Sequence, residues 1–400
     1  MSEKALLLVD DEASILKALQ RELAQWARSR GLRILTAGSA EEAETVVAKE
    51  AGAVCLLVSD VRMPGRSGPD LVQSVHAAWP DTIALLLTGF AELPELIKAV
   101  RAGAFSYILK PWDPEYLKAE LEKALAVYLL RDQERSHNRR IEEDLKWAGE
   151  LQTALFCAPL PTGGRVEFGS VYRPLSEFKC SGDYLDVVAH AGDLYTLLVG
   201  DVAGHGVRAA LVASFLKALV GAALIDPPME KGIIRLDTVL DGLNDRICGS
   251  LPESLGMMVT LGAAAVDASR GELAVASAGH LPLILLRGGR AHPLRVEGLP
   301  LGARPGTRYT LRRFRLSDED MLVLHTDGLL ERKGEAIGVG ERRLADTLEK
   351  DGSMQGLAER LVAAMTPDEG YADDVTVVTA AVSLPAGLSQ PALEPVSETG

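Results

Sequence analysis

No uncharged apolar run in the 400 residues reaches the roughly 18 needed to span a bilayer, so no membrane segment is expected. Cysteine is scarce: Cys55, Cys157, Cys180 and Cys248 lie far apart, with no Cys-x-x-Cys pair. That spacing argues against zinc or disulfides and for reduced, mostly buried thiols. Positive charge is in deficit, with 42 Lys and Arg against 56 Asp and Glu and a formal net charge of −14. Because Lys and Arg on phosphates supply most nucleic-acid affinity, this balance argues against a reader of duplex DNA. The basic run Arg131, Arg135, Arg139 and Arg140 is interleaved with Asp132, Glu134, Glu142 and Glu143, and reads as a solvated helix face. A transcription factor is also disfavoured, since the chain lacks a helix-turn-helix-like segment. The opening Met-Ser-Glu-Lys and Ala5–Val9 are too short and too soon followed by acids for a secretory signal, so a cytoplasmic protein is expected.

A hydrophobic share of 47% and a charged share of 24% are ordinary for a globular protein, and the length suggests two or three domains. Over residues 1–127, short aliphatic runs alternate with amphipathic stretches. Ala5–Val9, Arg33–Thr36, Val54–Ser59, Thr82–Leu87 and Phe105–Leu109 read as strands, continuous in apolar character as buried parallel strands are. Between them lie helical patterns such as Ile15–Arg28, with Ile15, Leu16, Leu19, Leu23 and Trp26 on one face. Five βα units imply a doubly wound α/β sheet, which binds ligands at the carboxyl ends of its strands. Asp10-Asp11, Asp60, Thr88 and Lys110 each fall at such an end.

From Pro114 to about Phe156 the pattern is helical. Leu117, Leu121, Ala124 and Tyr128 share one seam, and Ile141, Leu145, Ala148, Gln152 and Leu155 form a second, one residue out of phase. A helix lying on its own domain would satisfy this, as would a dimeric coiled coil; the polar middle favours the coiled coil, with a linker over 128–160. Pro159-Leu160-Pro161 and Gly163-Gly164 mark a boundary. Beyond it, over 161–384, runs of strand followed by paired helices point to an α/β/β/α sandwich. The tail 385–400, rich in Pro, Ser and Gly, is expected to be disordered.

The first group of acids would make a hard, oxygen-rich pocket suited to Mg²⁺. A carboxylate beside a cation can attack a phosphoryl group, and an ammonium and a hydroxyl can hold the oxygens that gather charge. Asp10-Asp11, Asp60 with Met63-Pro64-Gly65, Thr88-Gly89 and Lys110-Pro111, in this order, resemble the flavodoxin-like receiver domain of two-component response regulators. The resemblance implies that a histidine kinase phosphorylates Asp60. It further implies that Asp11, Asp60 and the Arg62 carbonyl bind Mg²⁺, with Asp10 in the same acidic pair. Thr88 and Tyr107 would form the switch, and Lys110 would pair with the phosphoryl group.

A second set of acids sits among glycines: Ser181-Gly182-Asp183-Tyr184, Gly200-Asp201-Val202-Ala203-Gly204-His205-Gly206, Thr326-Asp327-Gly328 and Ala372-Asp373-Asp374-Val375. All-oxygen ligation with room for water favours Mg²⁺ or Mn²⁺ over zinc. Two such ions would generate a hydroxide and clamp a phosphoryl group, which points to phosphoester hydrolysis. With Ala278-Gly279-His280-Leu281-Pro282, Leu299-Pro300-Leu301-Gly302 and Gly328-Leu329-Leu330-Glu331, the set is similar to the SpoIIE/RsbU group of type 2C-like protein Ser/Thr phosphatases. That resemblance implies two Mn²⁺ or Mg²⁺ ions bridged by Asp201. The Val202 carbonyl, Asp327 and Asp373 would complete the shells, Asp183 would bind directly or through water, and Asp374 is the weaker of its pair. His205 and His280 are read as orienting or structural. The phosphate-gripping arginine of eukaryotic relatives has only Arg173 as a stand-in, and His325 replaces the usual aromatic residue, with an effect expected on packing.

Together these readings describe a response regulator controlling a protein phosphatase whose substrate, by resemblance, is a phosphorylated STAS-type anti-sigma-factor antagonist. The alternative is a non-enzymatic adaptor with a phosphatase-like domain, disfavoured by the retained acids.

Overall fold

The computed structural model describes residues 3–50, 52–89, 98, 101–175, 180–204, 206–251, 256–350, 355–386 and 388. The chain divides into two compact units, Met1–Ile141 and Glu142–Gly400. In the first, the aliphatic runs form β1 (Ala5–Val9), β2 (Arg33–Ala37), β3 (Val54–Asp60), β4 (Ile83–Thr88) and β5 (Ser106–Leu109). They make one sheet in the order β2-β1-β3-β4-β5, parallel throughout. Every residue of β1, β3 and β4 is buried, which is why these runs show no polar alternation. Alternate side chains of β1 face opposite ways. Leu6 and Leu8 pack with Leu19, Leu23 and Trp26 of α1 (Ala13–Ser29), while Leu7 and Val9 pack with α2 (Ala40–Lys49) and α3 (Gly68–Ala78). Ser39 caps α2, and Ser67 with Asp70 forms a reciprocal capping box on α3.

Helix α4 (Pro114–Phe156) runs unbroken for 43 residues. Leu117, Leu121, Ala124 and Tyr128 are buried in the first unit's own core beside α1. This corrects the expectation that they form a seam for a second helix: what they cover is the apolar face of their own sheet. The second series divides, with Ile141 and Leu155 exposed, Leu145 and Ala148 half-buried, and Gln152 buried. Gln152 lies inside the second unit, where Nε2 donates to the carbonyls of Ser181 (2.7 Å) and Ala210 (3.3 Å) and Oε1 accepts the Ser181 N–H (2.9 Å).

The second unit continues with β6 (Val166–Arg173), β7 (Tyr184–Ala189), β8 (Leu194–Val202), α5 (Val207–Ala223), the short pair β9 (Met229–Glu230) and β10 (Ile233–Ile234), and α6 (Leu236–Ser250). Next come β11 (Val259–Asp267), β12 (Glu272–Ala278), β13 (Leu283–Arg287), β14 (Arg290–Leu294), β15 (Arg312–Arg315) and β16 (Met321–His325). A 3-10 turn at Asp327–Leu329, α7 (Ile337–Lys350), α8 (Leu357–Met365) and β17 (Val375–Val382) complete it. Two antiparallel sheets result, ordered β15-β12-β11-β8-β7 and β14-β13-β16-β17-β6.

Period-2 alternation distributes each strand between two cores. Leu197 and Val199 of β8 meet Leu324 of β16 and Val378 of β17 between the sheets. Leu198 and Val202 pack outward on α5 and α6, and Val323 and Val377 outward on α7 and α8. This is the expected α/β/β/α sandwich. Strands β14 and β15, both at sheet edges, were not anticipated; Arg-Ala-His-Pro-Leu and Arg-Arg-Phe-Arg carry the charge and proline that edges tolerate. Among the described residues, no helix is long and apolar enough to cross a membrane.

Candidate functional site

The parallel sheet of the first unit gathers its polar residues at one rim. Asp10 follows β1, Asp60 ends β3, Thr88 ends β4 and Lys110 follows β5. Lys110 Nζ lies 2.7 Å from Asp10 Oδ2 and 2.6 Å from Asp60 Oδ1. The other Asp10 oxygen accepts the Glu12 N–H at 2.9 Å. Asp10, Asp11 and Asp60 bring ligand oxygens within 4.8 Å of one another, the one such cluster found among the described residues. Burial pushes the Asp60 carboxyl up against the pull of Lys110. Burial alone would lower the Lys110 ammonium, but its bonds to Asp10 and Asp60 leave it raised. Thr88 is buried, its hydroxyl donating to the Gly89 carbonyl at 3.1 Å, whereas Tyr107 and Arg62 are exposed.

In the second unit the acids arrive in pairs, one pair per sheet. Asp183 precedes β7 and Asp201 is the penultimate residue of β8, and these strands are neighbours with Tyr184 opposite Gly200. Asp327 follows β16 and Asp373 precedes β17, with His325 opposite Val377. The pairs meet across the sandwich, since Asp183 Oδ2 accepts the Thr326 hydroxyl at 2.9 Å. Gly182 lets the chain pass close: a Cβ there would stand 3.1 Å from the Val202 carbonyl oxygen and 3.3 Å from Asp201 Oδ1.

Burial first, then the Asp201 charge, raises the Asp183 carboxyl well above the ordinary range. Asp201 is pushed up to about 7 by burial and by the charges of Asp327, Asp373 and Asp374. Carboxylates so crowded ionise together only at high cost, and an all-oxygen set of this kind fits hard divalent cations. Asp374 faces the backbone, accepting the N–H of Leu175 at 2.6 Å and of Gly182 at 3.3 Å. Beside the acids opens a cleft of about 400 Å³ lined by Asp201, Thr260, His280, Arg295, Asp327 and Glu341. Arg295 Nη2 is 3.3 Å from Glu341 Oε2. Burial, then His325, holds His280 down to about 3, and burial lowers the His325 imidazole too.

Arg173 is exposed at the end of β6, opposite Val375 in register. His205, like most of the tail beyond 386, lies outside the described residues. Nothing in the sequence marks Arg295 and Glu341, which sit in no local pattern. It places Thr326 in the Thr326-Asp327-Gly328 motif and Gln152 in a helical seam, without indicating their bonds to Asp183 and to Ser181.

Residues 6–122 match the family model of the response regulator receiver domain, and residues 191–383 match that of stage II sporulation protein E (SpoIIE). The chain joins a receiver domain to a SpoIIE-type phosphatase domain. Among solved structures, the RsbU and RsbW domains of a Mycobacterium tuberculosis protein resemble it with TM-score 0.50 and 27% identity, covering 57% of this chain and 62% of that one. The SiaA-PP2C domain of Pseudomonas aeruginosa gives TM-score 0.50 and 26% identity, covering 61% of this chain and 97% of that one. The hydrogenase transcriptional regulatory protein HoxA of Cupriavidus necator is 34% identical over 128 residues, 31% of this chain and 25% of its own length. The C4-dicarboxylate transport transcriptional regulatory protein DctD of P. aeruginosa is 29% identical over 150 residues, 38% of this chain and 31% of its own. The chain thus spans a quarter to a third of these curated relatives.

Proposed function

We propose that phosphorylation of Asp60 controls a metal-dependent hydrolase acting on phosphoserine or phosphothreonine in a protein, with receiver 1–127, linker 128–160 and phosphatase 161–384. The observation that carries this reading is one acid from each sheet, Asp201 and Asp327, on a single cleft, with Asp183 behind them bonded across the sandwich to Thr326. Asp201, Asp327 and Asp373, with the Val202 carbonyl and Asp183 directly or through water, would hold two Mn²⁺ or Mg²⁺ ions. Asp10, Asp11, Asp60 and the Arg62 carbonyl would hold one Mg²⁺ in the receiver. When bound, such cations supply Lewis acidity, neutralising phosphoryl oxygens and acidifying water.

The chain's own groups do the rest. In the receiver, the Asp60 carboxylate would attack the phosphorus of a phosphohistidine on a histidine kinase, forming an acyl phosphate as the P–N bond breaks and the imidazole leaves. Lys110 would pair with the transferred oxygens, and Thr88 with Tyr107 would answer the new charge. In the phosphatase, Asp374 braces the Gly182 and Leu175 loops so that Asp183 and Asp201 keep their places. The proposed substrate is a phosphorylated STAS-type protein. The proposed assembly is a cytoplasmic homodimer paired through α4, supported by the exposed Trp147, Leu151 and Leu155 along one helix face.

Purified chain would be assayed on a generic phosphoester and on phosphorylated antagonist proteins, with Mn²⁺ or EDTA and with or without acetyl phosphate. Turnover that needs Mn²⁺, stops in EDTA and responds to acetyl phosphate is expected. No turnover on any substrate with Mn²⁺ would overturn the catalytic reading in favour of the adaptor.

A further inference from the structure

Two motifs of the phosphatase domain contribute no carboxylate, yet both converge on β11 behind Asp201. Leu301, from Leu299-Pro300-Leu301-Gly302, exchanges both backbone hydrogen bonds with Val259, at 2.8 and 3.0 Å. The next residue along, Thr260, is the register partner of Asp201. His280, from the other motif, reaches Thr260 through its side chain: Nδ1 is 2.9 Å from Thr260 Oγ1, and Nε2 is 3.0 Å from the backbone carbonyl oxygen of His325. His325 ends β16, two residues before Asp327.

These two bonds fix the tautomer. A carbonyl oxygen only accepts, so Nε2 carries the ring proton, and the bare Nδ1 accepts from the Thr260 hydroxyl, whose single proton is shared with the more distant Asp201 backbone carbonyl at 3.4 Å. Neither nitrogen is left to hand a proton to a leaving group, which removes the general-acid role a histidine at this cleft would suggest. The backbone of His280 is held as well, its N–H donating to Ser277 Oγ at 3.1 Å. Space for the ring depends on Gly262, where a Cβ would stand only 2.9 Å from His280 Cδ2.

We infer that His280 is a positioning residue: its imidazole, bonded at once to Thr260 beside Asp201 and to the carbonyl two residues before Asp327, sets the separation of those carboxylates and hence the affinity for divalent cations. This rests on the metal-dependent reading of Asp201 and Asp327. Outer partners that orient metal ligands typically govern metal affinity by about 10–100-fold.

Calorimetric titration of the full chain with Mn²⁺ tests it, the phosphatase centre being identified by the heat that Asp201→Asn abolishes. Thr260→Val keeps the shape but removes the hydroxyl and should weaken that binding by about ten-fold or more, whereas Thr260→Ser, which restores the hydroxyl, should bind as wild type does. His280→Ala should weaken it at least as much, and the Thr260→Val/His280→Ala pair should bind no worse than His280→Ala alone, because both changes break one connection. Equal Mn²⁺ constants for wild type and Thr260→Val would overturn the inference even if His280→Ala fails to fold, as would a Thr260→Ser protein as weak as Thr260→Val. A wild type that binds Mn²⁺ but hydrolyses nothing would instead overturn the catalytic reading, leaving the comparison of constants valid.

Discussion

With its carboxyl pushed up from 3.8 to about 7 by burial and the neighbouring acids, Asp201 should bind more protons folded than unfolded over that interval. Its contribution to stability is therefore full below about pH 4 and is lost as pH rises through 7. The lowered imidazoles of His280 and His325 act in the opposite sense, losing stability as pH falls below the ordinary histidine value, so the raw melting curve mixes the two. The difference between wild type and Asp201→Asn cancels the histidines and reports Asp201 together with its effect on the Asp183 carboxyl, which the Asp201 charge helps to raise. In EDTA the variant should gain melting temperature over wild type progressively from about pH 4 to pH 7 and level off above, and a scanning-calorimetry difference that stays flat over that interval would refute the shift. The same substitution should lower Mn²⁺-dependent hydrolysis by more than the roughly 10–100-fold typical of an outer-shell loss. In the receiver, Asp60→Asn keeps the shape of the site but not the nucleophile, so it should take no label from radioactive acetyl phosphate; undiminished labelling would place the acceptor elsewhere.

Helix α4 is anchored at both ends by different means, aliphatic burial over Leu117–Tyr128 and the Gln152 amide near its carboxyl end. Gln152→Leu would take the amide from the buried Ser181 N–H and carbonyl, at about 1–3 kcal/mol per group, while the Ala210 carbonyl keeps the Ser214 hydroxyl at 2.8 Å. A clear fall in the melting temperature of the phosphatase domain is expected, and an unchanged transition would show that water replaces the amide. One residue inserted near Ser136 turns everything beyond it by about 100°, so activity should lock high or low and stop answering acetyl phosphate. An insertion variant that still responds would show that torsion of α4 carries no signal.

This helix also marks the limit of what the sequence discloses. Its extent was legible, as were the acid-bearing strand ends, because burial on both faces and glycine-flanked aspartates leave a local imprint. The partner of Leu117, Leu121, Ala124 and Tyr128 was not legible, since a 4-3-4 spacing fits the face of a sheet as well as another helix. Gln152 looked like a polar slot in a seam because its partners, Ser181 and Ala210, are 29 and 58 residues away. Edge strands β14 and β15 escaped for a related reason: with one neighbour each, they need little apolar character.

For the whole molecule, pairing through α4 predicts a light-scattering mass near twice the 42.7 kDa of one chain, with and without acetyl phosphate. A monomer in both states would remove pairing from the account. The sandwich has a subtler consequence. One aspartate pair belongs to each sheet, and aliphatic side chains, Leu197 and Val199 against Leu324 and Val378, pack between the two layers. Sheets packed in this way lie about 10 Å apart, a thickness set by the side chains between them. The interior therefore works as a gauge block for the spacing of the acids at its rim, and if these hold cations as proposed, trimming a methylene there would retune that grip without touching any polar atom.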